Sequence, residues 1–508
     1  MGDRLMPPYA FTRRIDGPTQ TLFAAHLNEL QAAIESLDPP SAGTTLAPIG
    51  GVTSREWRGA TVRDIRDWYR DASGVVRTDI EVFRAMALDV AAAGGGAVAV
   101  TAKPTGDGAW SWPYEIVTTF VDLPSNIHLF GAGPGGGRFL PTGGATGDNS
   151  CMFRVFGPKQ HGLIERLFFK GENGTDGTGF IYALNHQSNA IGIFGDTFSQ
   201  GPNNWTVRDC RFADLHGFSV HSAGGSNVFG PRRIKVLDSL FTYCGNGVNL
   251  LGGDCQSRGN VVFNSEGFEN GGRGMILANN IIIAALGTGL NVGGSAQDDG
   301  GGIVANNVLI GSSGEGMSVG DGIHDMTIMG NVVLGTEGYA FRTGVGFVPE
   351  FAPRNLNITG NIFRSTATQS TAFECGAPNS TVHNNHIGGS GQEPLHIIST
   401  GGSFTANTID LGTVSGRAFQ ASSTGGVTAT DNFFGGDNQY TPFAYFDGTL
   451  GVGNWRAGSA FRLTALPTAS AQWRGSTVWI TAAAGSADVY KMATKDAANA
   501  YAWRDLLV

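Results

Sequence analysis

The chain has 508 residues, 78 of them Gly, with 15% charged residues and a formal net charge of −9. The acidic balance, with no basic stretch interleaved with aromatics, argues against a nucleic-acid partner. No run of 18 apolar residues exists to cross a membrane as a helix, and so much Gly with so few charges excludes a helix-rich globule.

In chain order, residues 1–50 read as a leader and linker. Phe23, Leu27, Leu30, Ile34 and Leu37 lie four and three residues apart in a helix over Gln20 to Leu37, a seam of a and d positions. Two heptads with a large domain below them can set a threefold axis, or the helix can pack on its own chain. The opening Met1-Gly-Asp-Arg-Leu-Met-Pro-Pro has no apolar signal-peptide core, so synthesis in a cytoplasm without the general secretory route is expected.

Two helices are predicted next, Val62 to Arg70 and Thr78 to Ala93. The second has Thr78 as N-cap, Glu81 three residues on and Gly94-Gly95-Gly96 as its stop, before a strand Ala97-Val-Ala-Val. Gly131 to Gly136 spells G-x-G-x-x-G, but Gly137-Arg-Phe-Leu-Pro cannot open the helix that a dinucleotide site requires. No cofactor and no metal is expected. The five Cys have neither metal nor redox spacing and read as buried thiols.

From Asp209 to Asn432 one phrase recurs, an Asn or Asp followed by an apolar run. It is anchored at Asp209, Asp238, Asn260, Asn280, Asn307, Asn331, Asn361, Asn385, Asn407 and Asn432, at intervals of 20 to 30 residues. An apolar-polar-apolar triplet follows most anchors: Phe218-Ser-Val, Val248-Asn-Leu, Leu290-Asn-Val, Met317-Ser-Val and Leu395-His-Ile. Both phrases alternate at period two and are too short for helices. About 25 residues per coil suits an all-β fold, a right-handed parallel β-helix with three short strands per turn. Coils then stack at ~4.8 Å, and the anchors form an amide ladder at one bend. Val332, Ile362 and Phe419 are expected to point inward, and Ser318 and Gln420 outward. The solenoid with its helical cap is assigned to residues 51–450, and residues 451–508 to a small C-terminal β module.

The helix, Gly-Gly-Gly, strand order and the strand Ile127-His-Leu-Phe-Gly-Ala-Gly are similar to the start of pectate-lyase-superfamily β-helices, especially those of phage tail spikes. That resemblance implies a helix capping the first coil. The late Leu466-Pro-Thr and Tyr501-Ala-Trp-Arg also resemble C-terminal modules of phage tail and spike proteins.

In such β-helices, sugar chemistry sits on the outer wall, where acids from neighbouring coils converge on one glycosidic bond at the spacings that retention or inversion requires. Asp298 and Asp299 lie 18 and 19 residues after Asn280, Asp325 lies 18 after Asn307, and Glu350 lies 19 after Asn331. Asn291, Ser318, Arg342, Glu374, His396 and Gln420 form a second outward column at 11 or 13 residues past their anchors. Asp298, Asp299, Asp325, Glu350 and Glu374 are the candidate catalytic acids. Arg342, His396, Asn291 and Ser318 are the candidate binding residues, and Arg342, Glu374 and His396 on consecutive coils, a cation, an acid and an imidazole, could bind or break an acidic glycan. Glu269, Glu315 and Glu337 form a third set in looser phase.

The resulting expectation is a homotrimeric virion protein, a tail spike or fibre made in the host cytoplasm. It would attach to other tail or baseplate proteins and bind and degrade a host surface polysaccharide. Whether cleavage is by hydrolase or lyase stays open. A non-catalytic adhesin or structural fibre, and a secreted bacterial polysaccharide lyase, are the rival readings.

Overall fold

In the computed structural model the described residues run from 62 to 506, apart from internal segments that include 133–137, 143–150, 171–188, 294–298, 344–351, 411–418, 436–443, 447–459 and 481–488. The leader and its expected helix lie outside them.

Each coil is built from three strands in a fixed order. One coil reads Gln256–Arg258, Val261–Phe263 and Glu266–Gly271 before Met275–Ala278 begins the next. Every strand pairs in parallel with its equivalents one coil before and after, as Gln256 does with Lys235 and with Ile276. Three long sheets result. Among the described residues the first holds fourteen strands, from Val62–Asp64 to Thr428–Thr430, and the third holds thirteen, from Val121–Asp122 to Ala444–Phe446. The second begins at Tyr114–Val117 and reaches Phe433–Gly435. The solenoid read from the period is therefore present, a right-handed parallel β-helix.

The bend from first to second sheet explains the recurring phrase. One residue there adopts a left-handed conformation, and the residue after it turns inward. Asp209, Asp238, Gly259, Asn279, Asn306, Gly330, Gly360, Asn384 and Ala406 fill the left-handed position, with φ between 50° and 69°. Gly, Asn and Asp reach that region most readily, hence the polar doublets before each run. The inward position is Asn from Asn260 to Asn432, each at most 2% exposed. From Asn280 on, each Asn Oδ1 accepts the backbone N–H and the side-chain amide of the Asn one coil earlier, as Asn331 does from Asn307 at 3.0 and 2.9 Å. Asp209 and Asp238 are not rungs of this ladder. Ser239 and Cys210 occupy those rungs: Ser239 donates its N–H to Asn260 Oδ1 at 3.0 Å, and Cys210 donates its own to Ser239 Oγ at 3.1 Å.

With Asn331 buried, alternation sends Val332 out, Val333 in and Leu334 out. Val333 and Phe363 are fully buried, whereas Ile362 is 38% exposed, so the expected inward phase of Val332 and Ile362 is off by one. The side chain of Phe419 lies outside the described residues. The interior is a set of like-on-like columns. Phe169, Phe212 and Phe241 stack at 5.1 and 4.8 Å, and Phe341 stacks on Phe373 at 4.8 Å. Such columns bury large apolar areas at native packing density.

The N-terminal end is closed by α1, Asp79–Ala92. Thr78 donates both its N–H and its hydroxyl to Glu81 Oε2 at 2.8 Å, and Gly94 and Gly95 at positive φ end the helix. A Cβ at Gly95 would meet Asn126 O at 2.6 Å, so only glycine lets the chain pass there. Phe83 of α1 packs edge-on against Tyr114 and Phe153 of the first coils, with ring centroids 5.1 and 5.6 Å away. The helix expected over Val62 to Arg70 is instead the strand Val62–Asp64 followed by a single 3-10 turn, Ile65–Trp68. Val62 to Asp64 pair with Ala97 to Ala99, and that pairing overrides the local helical pattern.

At the other end Ala460–Leu463 and Thr477–Ile480 extend the second sheet in parallel. Val489–Lys495 and Tyr501–Asp505 then finish it with antiparallel strands. All five Cys are buried and free, and burial pushes the thiols of Cys210 and Cys255 up to about 12. Among the described residues no helix is long and apolar enough to cross a membrane.

Candidate functional site on the third sheet

From His221 to Glu374 the third sheet presents one polar side chain per coil on its outer face. Backbone register places Asn249, Glu269, Asn291, Ser318, Arg342, Glu374, His396 and Gln420 at successive positions of a single ladder. The residues before them, from Val248 and Phe268 to Phe341 and Phe373, are inward and at most 1% exposed. Alternation across the pleat therefore fixes an outward row with a rise of ~4.8 Å per residue. Asn291, Ser318, Arg342 and Glu374 are brought together as the sequence column had them. For His396 only the backbone position is described.

Arg342 is the hub of this row. Its Nε donates to Glu374 Oε1 at 3.0 Å and its Nη1 to Glu315 Oε1 at 2.9 Å, while its guanidinium lies 4.8 Å from the Tyr339 ring centroid. Glu374 is 6% exposed although it faces outward. Burial works against the charge on Arg342, but the hydrogen bond and field of Glu315, with those of Glu374, outweigh it and raise its pKa. Burial and the nearby negative charge of Glu374 keep the Tyr339 phenol protonated to higher pH than usual. Two carboxylates on one cation leave the cluster negative. The Arg342 guanidinium is thus occupied by two protein acids. What the cluster offers chemically is two oriented carboxylates beside a phenol.

The acidic column fares differently. Asp299 pairs with Ile323, and the neighbouring pairs Gly300 with His324 and Gly302 with Met326 put Asp325 opposite Gly301. Counts of 19 and 18 from the anchors thus conceal an offset of two residues between Asp299 and Asp325, and this strand belongs to the first sheet rather than the third. Asp325 is exposed and accepts from His324 Nδ1 at 2.7 Å and Asn355 Nδ2 at 3.0 Å. Those two hydrogen bonds, His324 first, lower its pKa, so it stays ionised and fits accepting a proton better than giving one. Asp298, Glu350 and the side chain of Asp299 lie outside the described residues.

Two acids outside the sequence columns matter. Glu315, set apart as loosely phased, is a partner of Arg342. Glu269 sits in the ladder beside Asn291 and accepts from Asn249 Nδ2 at 2.7 Å. Gly267, two residues earlier, lets the coils close up there, since a Cβ on it would lie 1.6 Å from Gly289 O. On the first sheet, Glu165 is 5% exposed and bonds His128 at 3.1 Å, Arg166 at 3.0 Å and Arg208 at 2.5 Å. Burial raises its pKa, but the hydrogen bonds from His128 and Arg208 overcome this and hold it down at about 2. Among the described residues no group of three or more His, Cys, Asp or Glu is arranged to hold a metal ion.

No family model and no curated protein matches the sequence. Solved structures do match. A tailspike protein of E. coli bacteriophage HK620 in complex with a pentasaccharide aligns at a TM-score of 0.50 and 13% identity, over 89% of this chain and 86% of that one. The same phage's tailspike with a hexasaccharide aligns at 0.50 and 12%, with the same coverage. A mannuronan C-5 epimerase A-module of Azotobacter vinelandii aligns at 0.47 and 14%, over 76% of this chain and 98% of that one. The likeness is one of fold: the chain is a right-handed parallel β-helix.

Proposed function

We propose that the chain is the subunit of a homotrimeric phage tail spike that binds a host surface polysaccharide along the third sheet and cleaves it there. The observation that carries this reading is the outward ladder. From Asn249 to Glu374 it presents hydrogen-bonding side chains in register, one per coil, with a rise close to the length of one sugar in an extended glycan. A rigid row of this kind matches a polymer better than a small molecule, and its side chains are set by backbone pairing before any ligand arrives.

Glu374 and Glu315, both oriented by Arg342, are the proposed nucleophile or base, with His396 one rung beyond Glu374. Asp325 and Asp299 of the first sheet, together with Asp298 and Glu350, remain a second candidate acid group. Attachment to other tail or baseplate proteins through residues 1–50, and residence in the virion, belong to the same reading. They rest on the leader's heptad seam and the phage-like C-terminal phrases.

Purified protein incubated with host capsule or cell-wall polysaccharide tests the proposal. New reducing ends alone indicate a hydrolase, and reducing ends with absorbance from unsaturated uronates indicate a lyase. Binding without either product supports the non-catalytic adhesin. Light scattering should give the mass of three chains; a stable monomer at micromolar concentration removes the spike reading.

A further inference from the structure

Three rungs of the ladder lie before Ser318 and Arg342 and take no part in the carboxylate cluster. Asn249 is 4% exposed, and its Nδ2 is used on Glu269 at 2.7 Å. Its Oδ1 is buried with no hydrogen-bond partner, an arrangement that costs free energy until a donor reaches it. Glu269 follows in register and Asn291 comes next.

We propose that Asn249, Glu269 and Asn291 form a subsite for an uncharged sugar residue, with the carboxyl of Glu269 and the two amides hydrogen-bonding the sugar's hydroxyls. This rests on the polysaccharide-binding reading above and adds the class of sugar to it.

The case is one of charge and donor inventory. The strands on either side of Glu269, Asn246–Leu251 and Leu290–Val292, contain no ionisable residue, and the charged group acting on Glu269 is Glu266 of its own strand. Burial, with Glu266 adding to it and the Asn249 hydrogen bond opposing, raises the pKa of Glu269 toward the neutral form. A neutral carboxyl both donates and accepts, as do the amides, and so does each sugar hydroxyl. An acidic sugar would meet Glu266; of the basic groups on the ladder, Arg342 is already held by two carboxylates, and His221 lies one rung before Asn249, beyond the subsite. From Asn249 to Ser318 the row thus carries amides, a hydroxyl and one carboxyl biased toward its neutral form, and at Arg342 and Glu374 it is charged, so the matching glycan places an uncharged residue against the first stretch.

The test uses the full chain on an array of neutral, amino-sugar and acidic oligosaccharides. Titration calorimetry then follows at pH 5 and pH 8 with the tightest glycan that contains a neutral residue. Asn249→Ala and Glu269→Ala should each weaken binding at least tenfold with thermal unfolding little changed. The parent should bind more weakly at the higher pH, as Glu269 ionises, and Glu269→Gln should lose that pH dependence. If the parent binds but these variants match it at both pH values, the subsite is wrong and the wider reading stands. Binding confined to wholly acidic glycans also overturns the subsite, and binding to nothing on the array removes both. Should the alanine variants misfold, the pH dependence of parent against Glu269→Gln decides alone.

Discussion

Asn307 Oδ1 accepts two hydrogen bonds from Asn280, one from its backbone N–H at 3.1 Å and one from its side-chain amide at 2.9 Å. Asn307 in turn gives its own amide to Asn331 Oδ1 and to Leu277 O, both at 2.9 Å. Every polar atom of the side chain is thus used inside a fully buried bend. Asn307→Ala would strand the Asn280 N–H and the Leu277 carbonyl and should cost about 2–4 kcal/mol. Asn307→Asp, which keeps Oδ1 as an acceptor but buries a charge and turns its second oxygen onto the acceptors Leu277 O and Asn331 Oδ1, should cost more. Urea unfolding checks both, and a loss below about 0.5 kcal/mol in the alanine variant would remove the ladder from the account of stability.

Neighbouring residues of one strand should differ sharply. Val333→Asp puts a charge into the packed column and should cost several kcal/mol, whereas Val332→Asp, on the outer face, should cost about 1 kcal/mol or less. Equal loss in thermal unfolding would contradict the phase of the second sheet.

Acid stability should depend on Glu165. Its folded pKa of about 2 lies below its ordinary value of 4.5, so its stabilisation is complete above that value and is lost as the pH falls toward 2. Glu165→Gln should lower stability at neutral pH by about 1–2 kcal/mol, allowing for solvent screening of the partly exposed arginines, and should flatten the acid limb between pH 5 and pH 2. Stability measured against pH in both proteins shows whether the limb changes.

If the protein cleaves its glycan, Glu374→Gln should reduce turnover by about a hundredfold or more while thermal unfolding changes little. Arg342→Ala removes the cation between Glu315 and Glu374, so one of the two acids should hold its proton to higher pH and the acid limb of the pH–rate profile should move upward. An unchanged profile would mean that Arg342 does not set the charge state of the reacting groups.

Much of this architecture was legible because a solenoid repeats its instructions. The Asn anchors, the apolar triplets and the capping box around Thr78 each follow from a local rule that no distant contact overrides. The ladder's start was misread because Asp209 and Asp238 look like rungs but are the left-handed residues before them, and a Ser and a Cys can serve the inward position. Counting from anchors found Arg342 and Glu374, whose coils have similar spacing from anchor to triplet. It missed Glu269, whose coil from Asn260 to Asn280 is only 20 residues long and reaches the third sheet early. The same counting put Asp299 beside Asp325, although the register sets Asp325 opposite Gly301, two residues further along the strand. Side-chain pairing across coils, as between Arg342 and Glu315, has no signature in one dimension.

The asparagine ladder also bears on how such a chain can change over descent. Because each rung makes the same bonds to the next, removal of residues 280–306 would set Asn260 against Asn307 with every ladder hydrogen bond replaced in kind. Whole coils can therefore be gained or lost without redesigning the bend, and a fragment that is not a whole coil cannot. The outward row would then lengthen or shorten by one strand spacing of ~4.8 Å at a time. If the row binds a polysaccharide as proposed, a lineage of such proteins could follow a changing polymer in single-sugar increments, altering the length of what it grips before altering the chemistry with which it grips.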